Sequence, residues 1–176
     1  GLIGLPNAGK STLLSVVSAA RPKIASYPFT TLYPGLGVAE IDNHEFIIAD
    51  IPGLIKGAHL GSGLGTRFLG HIERCKVLLH LVDCCDEDPV DSWKTIQNEI
   101  KEYGADLNEK KCITVLTKSD ALLDELNIEI EQKLKKAGAK EVYRISSISN
   151  QGVSNLLRKV SEIIINIDKS NSDLED

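Results

Sequence analysis

A chain of 176 residues is long enough for one full α/β domain and short for two. Its hydrophobic fraction of 42% and charged fraction of 26% are those of a water-soluble globular protein, and no apolar run nears the roughly 18 residues needed to span a bilayer. A net charge of −5 excludes a domain built as a whole to neutralise a phosphate backbone, so neither direct DNA binding nor membrane contact is expected. With no Met and a first residue that already reads as strand, the chain is expected to be a trimmed domain, monomeric by itself, with other domains beyond it.

Gly1, Leu2 and Ile3 read as the first strand, and Leu13, Leu14, Val16 and Val17 mark the helix that follows. Between them Gly4–Ser11, GLPNAGKS, fits G-x-x-x-x-G-K-[ST] without a gap. The strand–loop–helix context turns that match into a phosphate loop. Gly4 and Gly9 let the backbone approach an anion, and the loop Pro6 to Thr12 forms the expected cradle at a helix N-terminus through the amides that follow Pro6, those of Asn7, Ala8, Gly9, Lys10, Ser11 and Thr12. Lys10 reaches for the β- and γ-phosphates and Ser11 for a magnesium ion.

A polar, Pro-rich stretch from Arg21 to Pro34 reads as a long loop, and long loops in compact domains are usually functional. Leu36–Ile41 and His44–Ile51 are β-leaning runs joined by Asp42-Asn43, a two-residue turn that pairs them antiparallel. Gly53, Gly57, Gly61, Gly63, Gly65 and Gly70 crowd the next segment; its G-S-G-L-G lacks the strand and spacing of a dinucleotide fingerprint. Of its neighbours, Lys56, Arg67, Arg74 and Lys76 form a loose basic grouping that reads as a solvated face.

Val77–Asp83 is a continuous apolar run, hence a strand covered on both faces. Asp88-Pro89 starts a helix with Val90, Trp93, Ile96, Ile100 and Tyr103 on one side. Lys111–Leu116 is a second buried strand. Leu126, Ile130, Leu134 and Ala137 predict a helix stopped by Gly138, Glu141–Ile145 the last strand, and Val153, Leu156, Leu157, Val160, Ile163, Ile164 and Ile167 the final helix. The polar stretch 168–176 reads as a disordered tail after a domain spanning 1–167. This alternation predicts a three-layer α/β sandwich of the P-loop NTPase kind: a mainly parallel sheet, one antiparallel strand pair, and helices on both faces. Ligands on such sheets bind at the carboxyl ends of the strands.

Cys75, Cys84, Cys85 and Cys112 have apolar neighbours, which predicts buried, reduced thiols and a reducing, cytoplasmic setting. The spacing of Cys75, His80, Cys84 and Cys85 does not match a structural zinc site.

Four further stretches narrow the ligand. DIPG, Asp50–Gly53, offers Asp50 to magnesium through a water and the Gly53 amide to a γ-phosphate. YPFTT, Tyr27–Thr31, brings Phe29 and two hydroxyls to the nucleotide, with Thr31 preferred as magnesium ligand and Thr30 in reserve. TKSD, Thr117–Asp120, follows a buried strand as a guanine-reading motif does, with Thr117 and Lys118 beside the base. SSI, Ser146, Ser147 and Ile148, offers a backbone N–H to the guanine oxygen. A carboxylate at Asp120 accepts from N1–H and the exocyclic amine of guanine, whereas adenine turns an acceptor toward it; two lost charge-assisted bonds at about 1.5–3 kcal/mol each reject ATP strongly.

With these motifs the chain resembles the G domain of the Obg family of GTPases. GLPNAGKST, YPFTTLYPGLGV, DIPGLIKGAHLGSGLGTRFLGHIER and TKSD align with that family over nearly the whole chain up to about Ile167. The YchF-type relatives share the phosphate loop but bind ATP through a changed base motif, and Asp120 separates this chain from them. The resemblance implies a switch acting in assembly of the large ribosomal subunit or in stress response, with GTP or GDP and Mg2+ as ligands. It also implies a glycine-rich N-terminal domain. Two departures stand out: Lys56 replaces the family's common glutamate, and Thr117 replaces the usual Asn, which contacts guanine N7 and braces the phosphate loop.

Small GTPases place a water-orienting glutamine directly after the glycine of DxxG. Here Leu54 stands there, so slow intrinsic hydrolysis is expected, with Lys10, Thr31, Gly53 and Asn7 as the chain's own catalytic groups. Asn7 either holds a potassium ion that offsets transition-state charge or braces the loop. Release of Thr31 and Gly53 on loss of the γ-phosphate would make the domain a switch. A docking module without hydrolysis is the competing expectation; a small-molecule kinase would need an arginine-bearing lid and no guanine motif.

Overall fold

A computed structural model describes residues 1–18, 22–23, 35–51, 71–103 and 109–172 of the chain. In chain order these form β1 (Leu2–Ile3), α1 (Lys10–Val17), β2 (Pro22–Lys23), β3 (Gly35–Ile41), β4 (His44–Asp50), β5 (Val77–Asp83), α2 (Pro89–Tyr103), β6 (Lys111–Thr117), α3 (Asp124–Ala137), β7 (Val142–Arg144) and α4 (Val153–Ser172). One sheet runs in the order β2-β3-β4-β1-β5-β6-β7. The pairs β4–β1, β1–β5, β5–β6 and β6–β7 are parallel.

The expected antiparallel pair is β3–β4, joined at Ile41↔His44 by Asp42 and Asn43 with φ of 50° and 64°. Two left-handed residues in a row give the mirror-image turn whose twist matches the flanking strands. The stretch expected to be all loop also contributes β2, which pairs antiparallel with Leu36 and Gly37 of β3. A two-residue strand carries no periodicity, so the sequence pattern could not reveal it.

Side chains alternate across the sheet and separate two cores. On one face Leu2, Leu79, Leu81, Ile113 and Val115 meet Leu13 and Leu14 of α1 and Val153, Leu156, Leu157 and Val160 of α4. On the other, Ile3 and Leu78 meet Ile96 and Ile100 of α2, while Val82 and Leu116 meet Trp93 of α2 and Leu134 of α3. The three-layer α/β sandwich is therefore present. Asp88 starts α2 as expected: its Oδ1 accepts the amides of Val90 and Asp91 at 3.0 and 2.9 Å.

Three expectations need correction. Leu126 is 44% exposed, because the buried side of α3 runs through Asn127 and Leu134. Cys85 is exposed, whereas Cys84 is buried and Cys75 and Cys112 half-buried; all four are free thiols. The tail expected from Asp168 is helical as far as Ser172, where Lys76 pairs with Asp168 and the hydroxyl of Ser170 donates to the Asn166 carbonyl. These polar contacts accompany last turns that carry no apolar stripe. No helix among the described residues is long and apolar enough to cross a membrane.

Candidate nucleotide-binding site

The carboxyl ends of β1, β4, β5, β6 and β7 bring the sequence motifs to one edge of the sheet. The loop after β1 turns at Gly4, with φ of 151°; a Cβ there would stand 2.5 Å from the carbonyl oxygen of Leu81. Only glycine fits a backbone that close. Asn7 adopts φ of 66°, the Ala8 amide donates to the Leu5 carbonyl at 3.2 Å, and Gly9, with φ of 92°, leads into α1. Gly9 has no side chain to cap the helix, so the free amides of its first turn face the loop.

Lys10 folds over this loop. Its ammonium donates to the carbonyls of Gly4 at 3.0 Å and Leu5 at 3.1 Å. Burial holds its pKa below the usual lysine value, opposed by the negative charge of Asp50. The hydroxyl of Ser11 donates to Asp50 Oδ2 at 2.9 Å, tying the first turn of α1 to the end of β4. Asp50 Oδ1 is buried and has no hydrogen-bond partner among the described residues. An orphaned carboxylate oxygen beside a serine hydroxyl offers oxygen ligands that suit a hard divalent cation with its waters.

The base-motif residues form the other half. Parallel register sets Asp83 beside Thr117 at the ends of β5 and β6. The Thr117 hydroxyl lies 2.8 Å from the Ala8 carbonyl and 3.1 Å from that of Val82. The brace to the phosphate loop, usually attributed to Asn, is thus made by the shorter side chain. Lys118 takes a left-handed backbone, φ 59°, and its ammonium pairs with Asp83, a bond that raises its pKa. Cys84 joins the same turn: its amide meets the Thr117 carbonyl at 3.2 Å and its thiol the Lys118 carbonyl at 3.0 Å. Burial, then the neighbouring Cys85, push that thiol up to about 12, so it stays protonated and donates.

Asp120 is exposed on a single 3₁₀ turn, Ser119–Ala121. The turn is pinned by the Ser119 amide on the Ile145 carbonyl at 3.1 Å and the Ala121 amide on the Lys118 carbonyl at 2.9 Å. Beside it, Ser146 is fully buried, its amide donating to the Gln151 carbonyl at 3.0 Å and its hydroxyl accepting the Ser149 amide at 3.1 Å. Ser146 therefore shapes the turn, and Ile148 beyond it is 84% exposed. Phe29, Thr30, Thr31, Gly53, Leu54 and Lys56 lie outside the described residues.

Sequence reasoning missed two contributors. Asp83 and Asn127 are both buried polar residues tied to the base turn, Asp83 through Lys118 and Asn127 through Ser119. Hydrophobic periodicity does not detect such residues; a polar position on a buried stripe was the available signal. A cavity of about 530 Å³ lies elsewhere, lined by Gly1, Leu36, Val77, Val160 and Ile164 and by none of the residues predicted to hold the nucleotide or the metal. Of the zinc-site candidates, Cys75 turns its thiol to the His71 carbonyl at 3.3 Å, and His80 packs against Gln97 and Trp93.

Comparison with known proteins agrees with this geometry. The fold is shared with a nucleolar GTP-binding protein 1 of Plasmodium falciparum at a TM-score of 0.70 and 21% identity, over 99% of this chain and 89% of that one. The G domain of the T. maritima FeoB iron transporter superposes at 0.68 and 20% identity, over 93% and 96%. Elongation factor SelB of Methanococcus maripaludis, solved with a GTP analogue, gives 0.67 and 20%, over 94% of this chain and 33% of that one. A family profile of ethanolamine and propanediol utilisation proteins matches residues 79–162. The profile described as 50S ribosome-binding GTPase matches residues 1–118, two thirds of the chain with the phosphate loop, DIPG and the start of TKSD inside it, and the chain belongs to that GTPase family.

Proposed function

We propose that this domain binds GTP and GDP and converts GTP and water slowly to GDP and phosphate. The observation that carries the reading is the bond from Thr117 to Ala8, which joins the base motif to the phosphate loop, so both ends of one nucleotide would be held by one connected structure. The loop amides and Lys10 would take the β- and γ-phosphates, Asp120 the guanine edge, and the amides of Ser147 or Ile148 the guanine oxygen. Ser11 and Asp50 suit Mg2+, with Thr31 as a further ligand from the sequence; the ion would supply charge neutralisation at the phosphates. Asn7, left-handed in the loop, is the candidate for a potassium ion.

Leu54 in place of a water-orienting glutamine favours a slow intrinsic rate and keeps a second reading open, a nucleotide sensor whose output is docking alone. Action on the large ribosomal subunit, as in Obg proteins, is the physiological role we propose; it rests on sequence likeness. Titration with GDP, GTP and ATP in potassium buffer with magnesium, followed by phosphate release, tests the reading. Guanine-selective binding with multiple turnover is expected. Equal uptake of ATP overturns the base assignment, and binding without phosphate release selects the sensor.

A further inference from the structure

We infer that Asn127 is a positioning residue that sets guanine recognition by holding the turn on which Asp120 stands. It lies in the first turn of α3, seven residues before Leu134, and the two are the buried side chains of that helix. Only 2% of Asn127 is exposed. Its Nδ2 faces three carbonyls, those of Ser119 at 2.8 Å, Leu122 at 3.3 Å and Leu123 at 3.4 Å. These bracket Asp120 and Ala121 on both sides. The amide orientation is unambiguous, since flipping it would set Oδ1 against all three oxygens.

Oδ1 is buried and has no partner among the described residues. A leucine at this stripe position would avoid that penalty, so the amide earns its place through its donors. Those donors act on backbone, and the backbone they act on carries the carboxylate that would read the base. The Asn127 bonds join the Ser119 amide on Ile145 and the Ala121 amide on Lys118 in holding the turn, closing it from the helix side. Removing them frees Asp120 to drift, while the phosphate loop, tied separately through Thr117, is untouched.

This inference rests on the assignment of Asp120 to the guanine edge, and inosine diphosphate separates the two. IDP keeps N1–H and lacks the exocyclic amine, so a well-placed Asp120 prefers GDP over IDP by about ten- to a hundredfold. Equilibrium binding of GDP and IDP to the wild-type chain, Asn127→Ser and Asn127→Leu, with thermal melts to confirm folding, gives the readout. The GDP-to-IDP preference is expected to fall to a few-fold or less in Asn127→Leu and to an intermediate value in Asn127→Ser, whose hydroxyl retains one donor. A merely structural role would weaken both nucleotides equally; an unchanged preference in either folded variant overturns the inference. A wild-type chain that binds GDP and IDP alike overturns the Asp120 assignment and this inference together.

Discussion

The hydroxyl of Thr117 contacts two carbonyls, Ala8 at 2.8 Å and Val82 at 3.1 Å, inside a buried corner between β1, β5 and β6. Thr117→Val keeps the shape and removes the donor. It should lower stability by about 1–2 kcal/mol in denaturant unfolding and weaken GDP several-fold, because loop and base turn are no longer coupled. His80 gives a prediction of a different kind. Burial, then the charge of Lys10, lower its pKa to about 3, and its Nδ1 faces Gln97 at 3.0 Å. The unfolded chain takes up a proton near pH 6.5 and the folded one does not. Stability should therefore be flat with respect to this group above about pH 6.5 and fall by about 1.4 kcal/mol per pH unit on acidification toward 3. His80→Leu should flatten that slope; urea midpoints at pH 7, 6 and 5 measure it, and an unaltered slope would assign the effect to carboxylates.

Elements differ in how plainly they announce themselves. Asp42-Asn43 and Asp88-Pro89 were legible because each does a local backbone job that few residues can do. Asn43→Val should cost about 1–2 kcal/mol, since a β-branched residue resists the left-handed φ of 64°, and the loss appears as a lower denaturant midpoint. The helix over Asp124–Ala137 is legible from Ile130, Leu134 and Ala137, which pack into the core as expected, and only the position of Leu126 differs. Counting apolar residues chose Leu126 and passed over its neighbour Asn127, which is the buried one. β2 escaped for the opposite reason: its pairing is set by β3, not by any pattern in Pro22-Lys23. Cys85 was expected inside because its neighbours are apolar, but it follows the end of β5, where the chain turns outward.

For the molecule as a whole, the phosphate loop, the end of β4 and the base turn were legible because fixed chemistry at fixed spacing does not depend on packing. What could not be read was how they connect, since the bonds between Thr117 and Ala8 and between Lys118 and Asp83 join residues 109 and 35 positions apart. That connection predicts a global response to ligand. GDP at a hundredfold excess over its Kd should stabilise the domain by about 2.7 kcal/mol, or roughly 5–10 °C in Tm, with ADP at the same concentration giving no shift. Turnover compared in potassium and sodium salts tests Asn7 as an ion ligand; faster hydrolysis in potassium is expected, and equal rates exclude it.

The bonds that the Lys10 ammonium makes within its own loop bear on how strongly an anion could claim it. Its bonds to the carbonyls of Gly4 and Leu5 place a positive charge between two backbone oxygens at the start of the loop. On the proposed reading, a nucleotide phosphate would compete with those two carbonyls for the ammonium, so part of its attraction would be offset by bonds that Lys10 already makes.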